Sequence, residues 1–317
     1  MHRMHAWTVG LLALAISATG VAAQQAETDT PPDQPTYSLD DSGAWVQTDA
    51  PDPGTDAATM AEARRLIVEK QTSAAISLLS EWLNNNQRSA NPYVPEALVL
   101  RGDAKVAADN EYIALVDYEA ATMYPESPHY VTALEREFEI ALRYLNGLRR
   151  KFLGLRVEDA RPTGEELMVR IQERLPGSRL AEQAAIELAD YYFRQRDMAM
   201  AAEMYEIFTR NFPASEYRRW AMQRRIYASL ATYKGPRNDT TGLLDAQNLI
   251  EDFRAQYPQD AETAGINDAL QTRIDESLGD KMLETATYYL RTGDSVSARY
   301  TLRRLVRAHP RTTAAGE

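Results

Sequence analysis

RLAEQAAIELADYYFRQRDMAMAAEMYEIFTRNFPAS, residues 179–215, reads as two amphipathic helices joined by a polar turn and closed by a terminator. Leu188, Ala189 and Tyr192 mark the inward face of the first helix, and Ala201, Tyr205 and Phe208 that of the second. The spacing of three to four residues is that of a helical stripe. Residues 194–198 form the turn between them. Phe212-Pro213 ends the unit, because proline cannot continue a helix and pushes the residue before it out of the α region.

The punctuation recurs at Tyr124-Pro125, Leu175-Pro176, Tyr257-Pro258 and His309-Pro310. Such periodic helical hairpins are the mark of a solenoid. With Pro213 at the last position of a tetratricopeptide repeat (TPR) unit of about 34 residues, Tyr192, Ala201 and Tyr205 fall on its tyrosine, small-residue and aromatic positions. Helices approach closely only where one offers a methyl to the other's ring, so Ala201 makes room and Tyr192 fills it. Pro310 sets the same register for Tyr289, Ala298 and Leu302. The unit ending at Pro125 carries Gly102, Ala114, Tyr118 and Ala121, with Lys105 near the expected aromatic. Residues 59–86 form an opening unit with Ala63, Leu66, Ala75, Leu79 and Trp82.

The expected fold is therefore all-α, a right-handed superhelical TPR solenoid of five to six hairpins over residues 57–312. No convincing strand is expected. Residues 147–162, with Arg149, Arg150, Lys151 and Arg156, and residues 234–242 read as long loops projecting from the stack. Residues 260–291 read as two helices or one kinked helix, interrupted at Gly279. No hairpin buries enough apolar surface to offset the ordering of its own backbone, so each needs its neighbours.

The 317 residues carry a formal charge of −11, which argues against nucleic acid as a partner. With no cysteine, they hold no disulfide, thiolate metal site, iron–sulfur cluster, cysteine nucleophile or cysteine-linked lipid. Residues 1–23 have the basic start, apolar run and Val21-Ala22-Ala23 of an export signal, with cleavage expected after Ala23. Residues 24–56 are acidic, bear prolines and contain no Lys or Arg, so a disordered tether is expected there, with Trp45 exposed on it. An exported chain of this kind belongs in the periplasm.

Catalytic chemistry has no foothold. After the signal only His129 and His309 remain, in different repeats, and no metal-ligand spacing, glycine-rich phosphate loop or Gly-x-Ser-x-Gly turn is present. His309 stands in for the aromatic before proline. Glu165-Glu166 and Asp275-Glu276 read as solvated faces. No enzyme, metal or cofactor is expected. What remains is charge pattern: Arg291, Arg299, Arg303, Arg304 and Arg307 gather on the last hairpin, and Arg218, Arg219, Arg224 and Arg225 on the first helix of the fifth unit. Either they serve helix solubility through i,i+4 pairing, or they form a docking face for an acidic partner. The first five are the docking candidates.

LPGSRLAEQAAIELADYYFRQRDMAMAAEMYEIFTRNFPAS (175–215) and YYLRTGDSVSARYTLRRLVRAHPRTTA (288–314), separated by a hairpin ending in AQYPQ, resemble the outer-membrane assembly lipoprotein family BamD, also called YfiO. The likeness covers the C-terminal half. It implies a periplasmic scaffold for inserting β-barrel proteins into the outer membrane. N-terminal repeats would meet unfolded barrel segments, and residues 288–310 would dock on the barrel-forming subunit. Family members are anchored through a lipidated cysteine, which this sequence lacks. A Tol-Pal-type adaptor of envelope or division machinery, or a support module for a cell-wall enzyme, are the alternative readings.

Overall fold

The computed structural model describes residues 36–39, 45–48, 51–86 and 90–317. Six helical hairpins follow one another: α1 (Asp56–Val68) with α2 (Thr72–Asn86), α3 (Val94–Ala107) with α4 (Glu111–Ala121), α5 (His129–Leu145) with α6 (Arg161–Arg174), α7 (Arg179–Arg194) with α8 (Met198–Asn211), α9 (Arg218–Thr232) with α10 (Thr241–Gln256), and, after the short α11 (Pro258–Thr263), α12 (Asp268–Arg291) with α13 (Ser295–Ala308). A final turn, α14 (Thr313–Gly316), packs on α12 and α13. Each helix packs on the next, and α1, α3, α5 and α7 also touch in series across the hairpins. The fold is an all-α TPR solenoid.

Two kinds of junction alternate. Between hairpins, Leu175, Phe212, Tyr257 and His309 share one backbone shape, with φ from −125° to −136° and ψ from 56° to 64°. Each donates its N–H to the carbonyl four residues back, on Ile171, Phe208, Phe253 and Leu305, all of them buried. The following proline holds that extended shape. His309 thus does take the place of the aromatic. Within hairpins, Lys70, Asp109, Gly147, Arg196 and Gly293 are left-handed, at φ between 59° and 98°. The next residue's N–H reaches back five residues, as from Asp197 to the Tyr192 carbonyl, 3.0 Å.

Inside the second hairpin the helices pack tightly where Gly102 of α3 meets Tyr118 of α4. A Cβ on Gly102 would lie 2.4 Å from Tyr118 Cε1. The ring is fully buried and its hydroxyl donates to Asp103 Oδ1 at 2.7 Å. Tyr205 of α8 repeats the device, fully buried with its hydroxyl on Asp190 of α7. Where an aromatic was expected, Lys105 instead meets the buried Asp117 at 2.6 Å, beside Arg101.

Four expectations are corrected. Strands do occur: β1 (Thr36–Leu39) pairs antiparallel with β2 (Trp45–Thr48), and β3 (Arg150–Phe152) with β4 (Leu155–Glu158). Strands of three or four residues are too short for alternation to register. The 147–162 segment is therefore a hairpin on a loop. Gly279 does not interrupt α12, which is continuous; the break comes at 264–267, where Asn267 caps α12 by accepting from Leu270 N. Gly279 serves instead as a close approach, since a Cβ there would lie 2.8 Å from Thr312 Oγ1. Finally, the acid pairs are engaged: Glu165 accepts from Tyr192 Oη at 2.7 Å, Asp275 from Gln247, and Glu276 from Thr313 N at 3.0 Å. The export signal, most of the acidic tether and the side chain of Trp45 lie outside the described residues.

Hairpins two and three meet over a buried carboxylate. Glu137 of α5 is fully buried and neither of its oxygens accepts a hydrogen bond. The nearest cation, Arg174 Nη1, stands 3.8 Å away and is committed to Glu119 and Thr122. Burial first, and the Glu119 charge second, push the Glu137 carboxyl up to about 7.

Two predictions follow from this packing. Gly102→Ala costs about 1–3 kcal/mol in urea unfolding, because overpacking against the Tyr118 ring outweighs the helix propensity that alanine adds; an equal or higher stability contradicts the packing. For Glu137 the folded pKa lies above the unfolded one, so stability is unpenalised below about pH 4.5 and falls as pH rises through 7. Ionisation then costs on the order of 3 kcal/mol. Glu137→Gln is expected to stabilise the protein at pH 8 and to change it little at pH 4.5, read as the difference in unfolding free energy from wild type.

Candidate docking face on the last hairpin

The turn of the last hairpin is fixed by Gly293 at φ +84° and by Asp294, whose carboxylate accepts from Ser297 N at 2.9 Å and so starts α13. Bonds from Ser297, through its side chain and its backbone, hold the Asp294 carboxyl below its usual range. From there α13 divides into two faces. Ala298 and Leu305 are buried against the stack, with Thr301, Leu302 and His309 half-buried beside them. Val296, Arg299, Tyr300, Arg303, Arg304, Val306 and Arg307 are exposed.

α13 contains no Asp or Glu, so i,i+4 pairing within it cannot neutralise its arginines. Arg299, Arg303, Arg304 and Arg307 have no ion-pair partner among the described residues. Arg291, at the end of α12, differs: its guanidinium meets Glu284 at 3.5 Å, and Glu284 also accepts from Arg237. The exposed Tyr288 and Leu290 of α12 flank it. The face is a basic stripe interleaved with Tyr300, Val296 and Val306, the mixture of arginine and aromatic found at protein interfaces.

The other arginine cluster is spent internally. On α9, Arg219 pairs with Asp260 at 2.6 Å, Arg225 with Glu206, and Arg218 donates to Gln256 and to the Tyr257 hydroxyl. Arg224 stacks over Phe193 and Trp220, 4.6 and 5.0 Å from their ring centres. Sequence reading could not separate the two clusters, because most of the partners lie on other helices, brought near only by the fold.

The repeat-defining residues sit in the packing. Ala201, Tyr205 and Ala298 are buried, Tyr192 and Tyr289 half-buried, and Pro213 and Pro310 exposed at the junctions. The ring filling the α7 core is Tyr191, missed in the sequence, while Tyr192 lies against it at 5.3 Å between ring centres and reaches Glu165 of the preceding hairpin. Burial raises the Asp190 carboxyl to about 6, opposed by the Tyr205 bond. Among the described residues no three His, Cys, Asp or Glu side chains gather as a metal site.

Comparison with known proteins gives a family for the C-terminal part. The family model YfiO, described as outer membrane lipoprotein, matches residues 155–317, just over half of the chain. Curated proteins give no match. Among solved structures, a putative kinesin light chain with nearly identical TPR-like repeats from Podospora anserina is 20% identical. That match covers 65% of this chain and 94% of the other, with a TM-score of 0.33. The C-terminal part of a TPR repeat-containing protein from Cytophaga hutchinsonii is 13% identical, covering 81% of this chain and 97% of the other, with a TM-score of 0.31. With its hairpins stacked through the matched region, the chain belongs to the YfiO family of outer membrane lipoproteins.

Proposed function

We propose that this TPR protein is a non-catalytic periplasmic scaffold in the assembly of β-barrel proteins into the outer membrane. The α12–α13 hairpin docks an acidic surface of the barrel-forming subunit, and the earlier repeats hold extended barrel segments. One observation carries the docking: four arginines on a helix without a single carboxylate, unpaired among the described residues and interleaved with exposed Tyr300 and Val296. A helix that needed charge only for solubility would carry both signs and pair them along its face, as Glu62, Arg65 and Glu69 do on α1. The family's outer-membrane description supports the location, and the signal-like start supports export.

The test is crosslinking in intact envelopes with wild type and with Tyr300→Ser/Arg303→Glu/Arg307→Glu. All three side chains are exposed, so the melting temperature is expected to stay near that of wild type. Capture of the barrel-forming subunit is expected to drop about tenfold or more, since aromatic and arginine anchors dominate such interfaces. Equal capture by both proteins, or capture of a cell-wall hydrolase in place of a barrel protein, contradicts the reading.

A further inference from the structure

The β3–β4 hairpin between α5 and α6 has two unlike faces. One is pinned to the solenoid: Arg150 stacks over the Tyr112 ring of α4, 4.2 Å from its centre, and pairs with Glu158 across the hairpin. Arg156 pairs with the buried Glu111 at 2.9 Å and also donates to the Asp109 carbonyl. The other face and the tip are aliphatic and bare, with Leu153 88% exposed, Leu155 68% and Val157 51%.

The turn is built at a cost. Leu153 and Gly154 both have positive φ, +48° and +83°, as a two-residue hairpin turn requires. Asn or Gly would take the first of these positions with little strain, and a bulky leucine does not. An almost fully exposed side chain contributes nothing to folding that would offset this strain. Such strain persists where the side chain is needed for something other than the fold.

A basic collar surrounds the aliphatic tip. Residues 147–162 hold five Lys or Arg against two acidic residues, within a chain whose formal charge is −11. Of these, Arg149 and Lys151, immediately before the tip, have no ion-pair partner among the described residues. Beside the hairpin, Tyr112 and Ile113 of α4 are also exposed. At about 3.3 Å per strand residue, Leu153 and Leu155 can enter a surface by one or two residues before the collar arrives. That reach of roughly 3–7 Å meets the shallow end of the depth of about 5–10 Å at which amphipathic elements lie between headgroups and acyl chains.

We infer that the β3–β4 hairpin inserts Leu153 and Leu155 into the surface of an anionic lipid bilayer, with Arg149 and Lys151 on the headgroup phosphates. Charge complementarity commits the occupant to lipid: aliphatic tip and cationic collar are the two signals that hold a peripheral protein on an anionic membrane. The contact is separate from the partner face on α13. It suits a member of an outer-membrane lipoprotein family whose 317 residues offer no cysteine thiol to a lipid.

The test uses the full chain and vesicles of phosphatidylglycerol with phosphatidylethanolamine, against vesicles of phosphatidylcholine. Wild type is expected to float with the anionic vesicles and not with the neutral ones. Leu153→Asn/Leu155→Ser relieves the turn, so folding is retained, and it is expected to lower vesicle partitioning about tenfold or more. Arg149→Glu/Lys151→Glu is expected to abolish the preference for anionic lipid. Because the sequence has no cysteine, Leu155→Cys can carry a single environment-sensitive fluorophore, expected to shift to the blue on anionic vesicles. The same label at the exposed Gln259→Cys, on α11 far along the chain, is expected not to shift. Failure of wild type to bind anionic vesicles, binding unchanged by Leu153→Asn/Leu155→Ser, or an unshifted Leu155→Cys label each overturns the inference.

Discussion

A tyrosine ring lying directly on the backbone of the facing helix is the constraint from which the rest of this structure follows. Tyr118 occupies the space that a side chain on Gly102 would need, and its hydroxyl must find an acceptor because it is buried. Asp103 supplies that acceptor and also takes Arg136 from α5 at 3.0 Å, so the contact that closes the second hairpin also ties it to the third. Burial raises the Asp103 carboxyl, and the cation and the hydroxyl oppose the rise. Tyr205 and Asp190 repeat the pair fifteen residues apart, and the Tyr205 ring then meets Trp220 of α9 edge-on at 5.8 Å. The second and fourth hairpins are thus each tied to the next at the contact that seals them. That is why the solenoid is stable only as a stack.

The parts of this design that depend on local chemistry were legible in the sequence. A proline dictates the shape of the residue before it, so all five proline junctions fall where a hairpin ends, and four of them share one backbone geometry. The fifth, Tyr124-Pro125, also falls between two hairpins as expected, but with a different backbone geometry, since α4 has already been capped at Thr122. The turns inside hairpins were less legible, because the left-handed residue is glycine at Gly147 and Gly293 but Lys70, Asp109 and Arg196 elsewhere. Tertiary geometry was not legible at all. Gly279 looked like a break because glycine weakens helices, yet it is there to admit Thr312 from beyond α13. The β3–β4 hairpin hid in a segment of arginines, since three-residue strands leave no pattern. The arginines of α9 and α13 also looked alike, although those of α9 find partners on α7, α8, α10 and α11 that only the folded stack brings near.

Charge is divided along the chain in a way that suits a scaffold. Inside the stack, arginines and acids pair between hairpins, as Arg170 and Arg174 of α6 do with Glu119 of α4. At α13 the pairing stops, and the last turn of structure, α14, covers α12 while leaving the outer arginines bare. A repeat array needs a polar outer face at its end for solubility, and here that face is of one sign. Glu137 marks the opposite economy, a carboxylate kept inside a junction where it weakens the stack at high pH. Among the described residues, unpaired basic side chains are thus gathered at one helix and one small hairpin of the stack.

The dependence of each hairpin on its neighbours is tested most directly by amide hydrogen exchange across the whole chain in dilute guanidinium. Nearest-neighbour stacking predicts a gradient, with α5 to α8 exchanging only through global unfolding and protection falling towards α1 and α13. Equal protection of all six hairpins, or a most-protected hairpin at either end, would contradict the claim that contacts between neighbouring hairpins hold the fold.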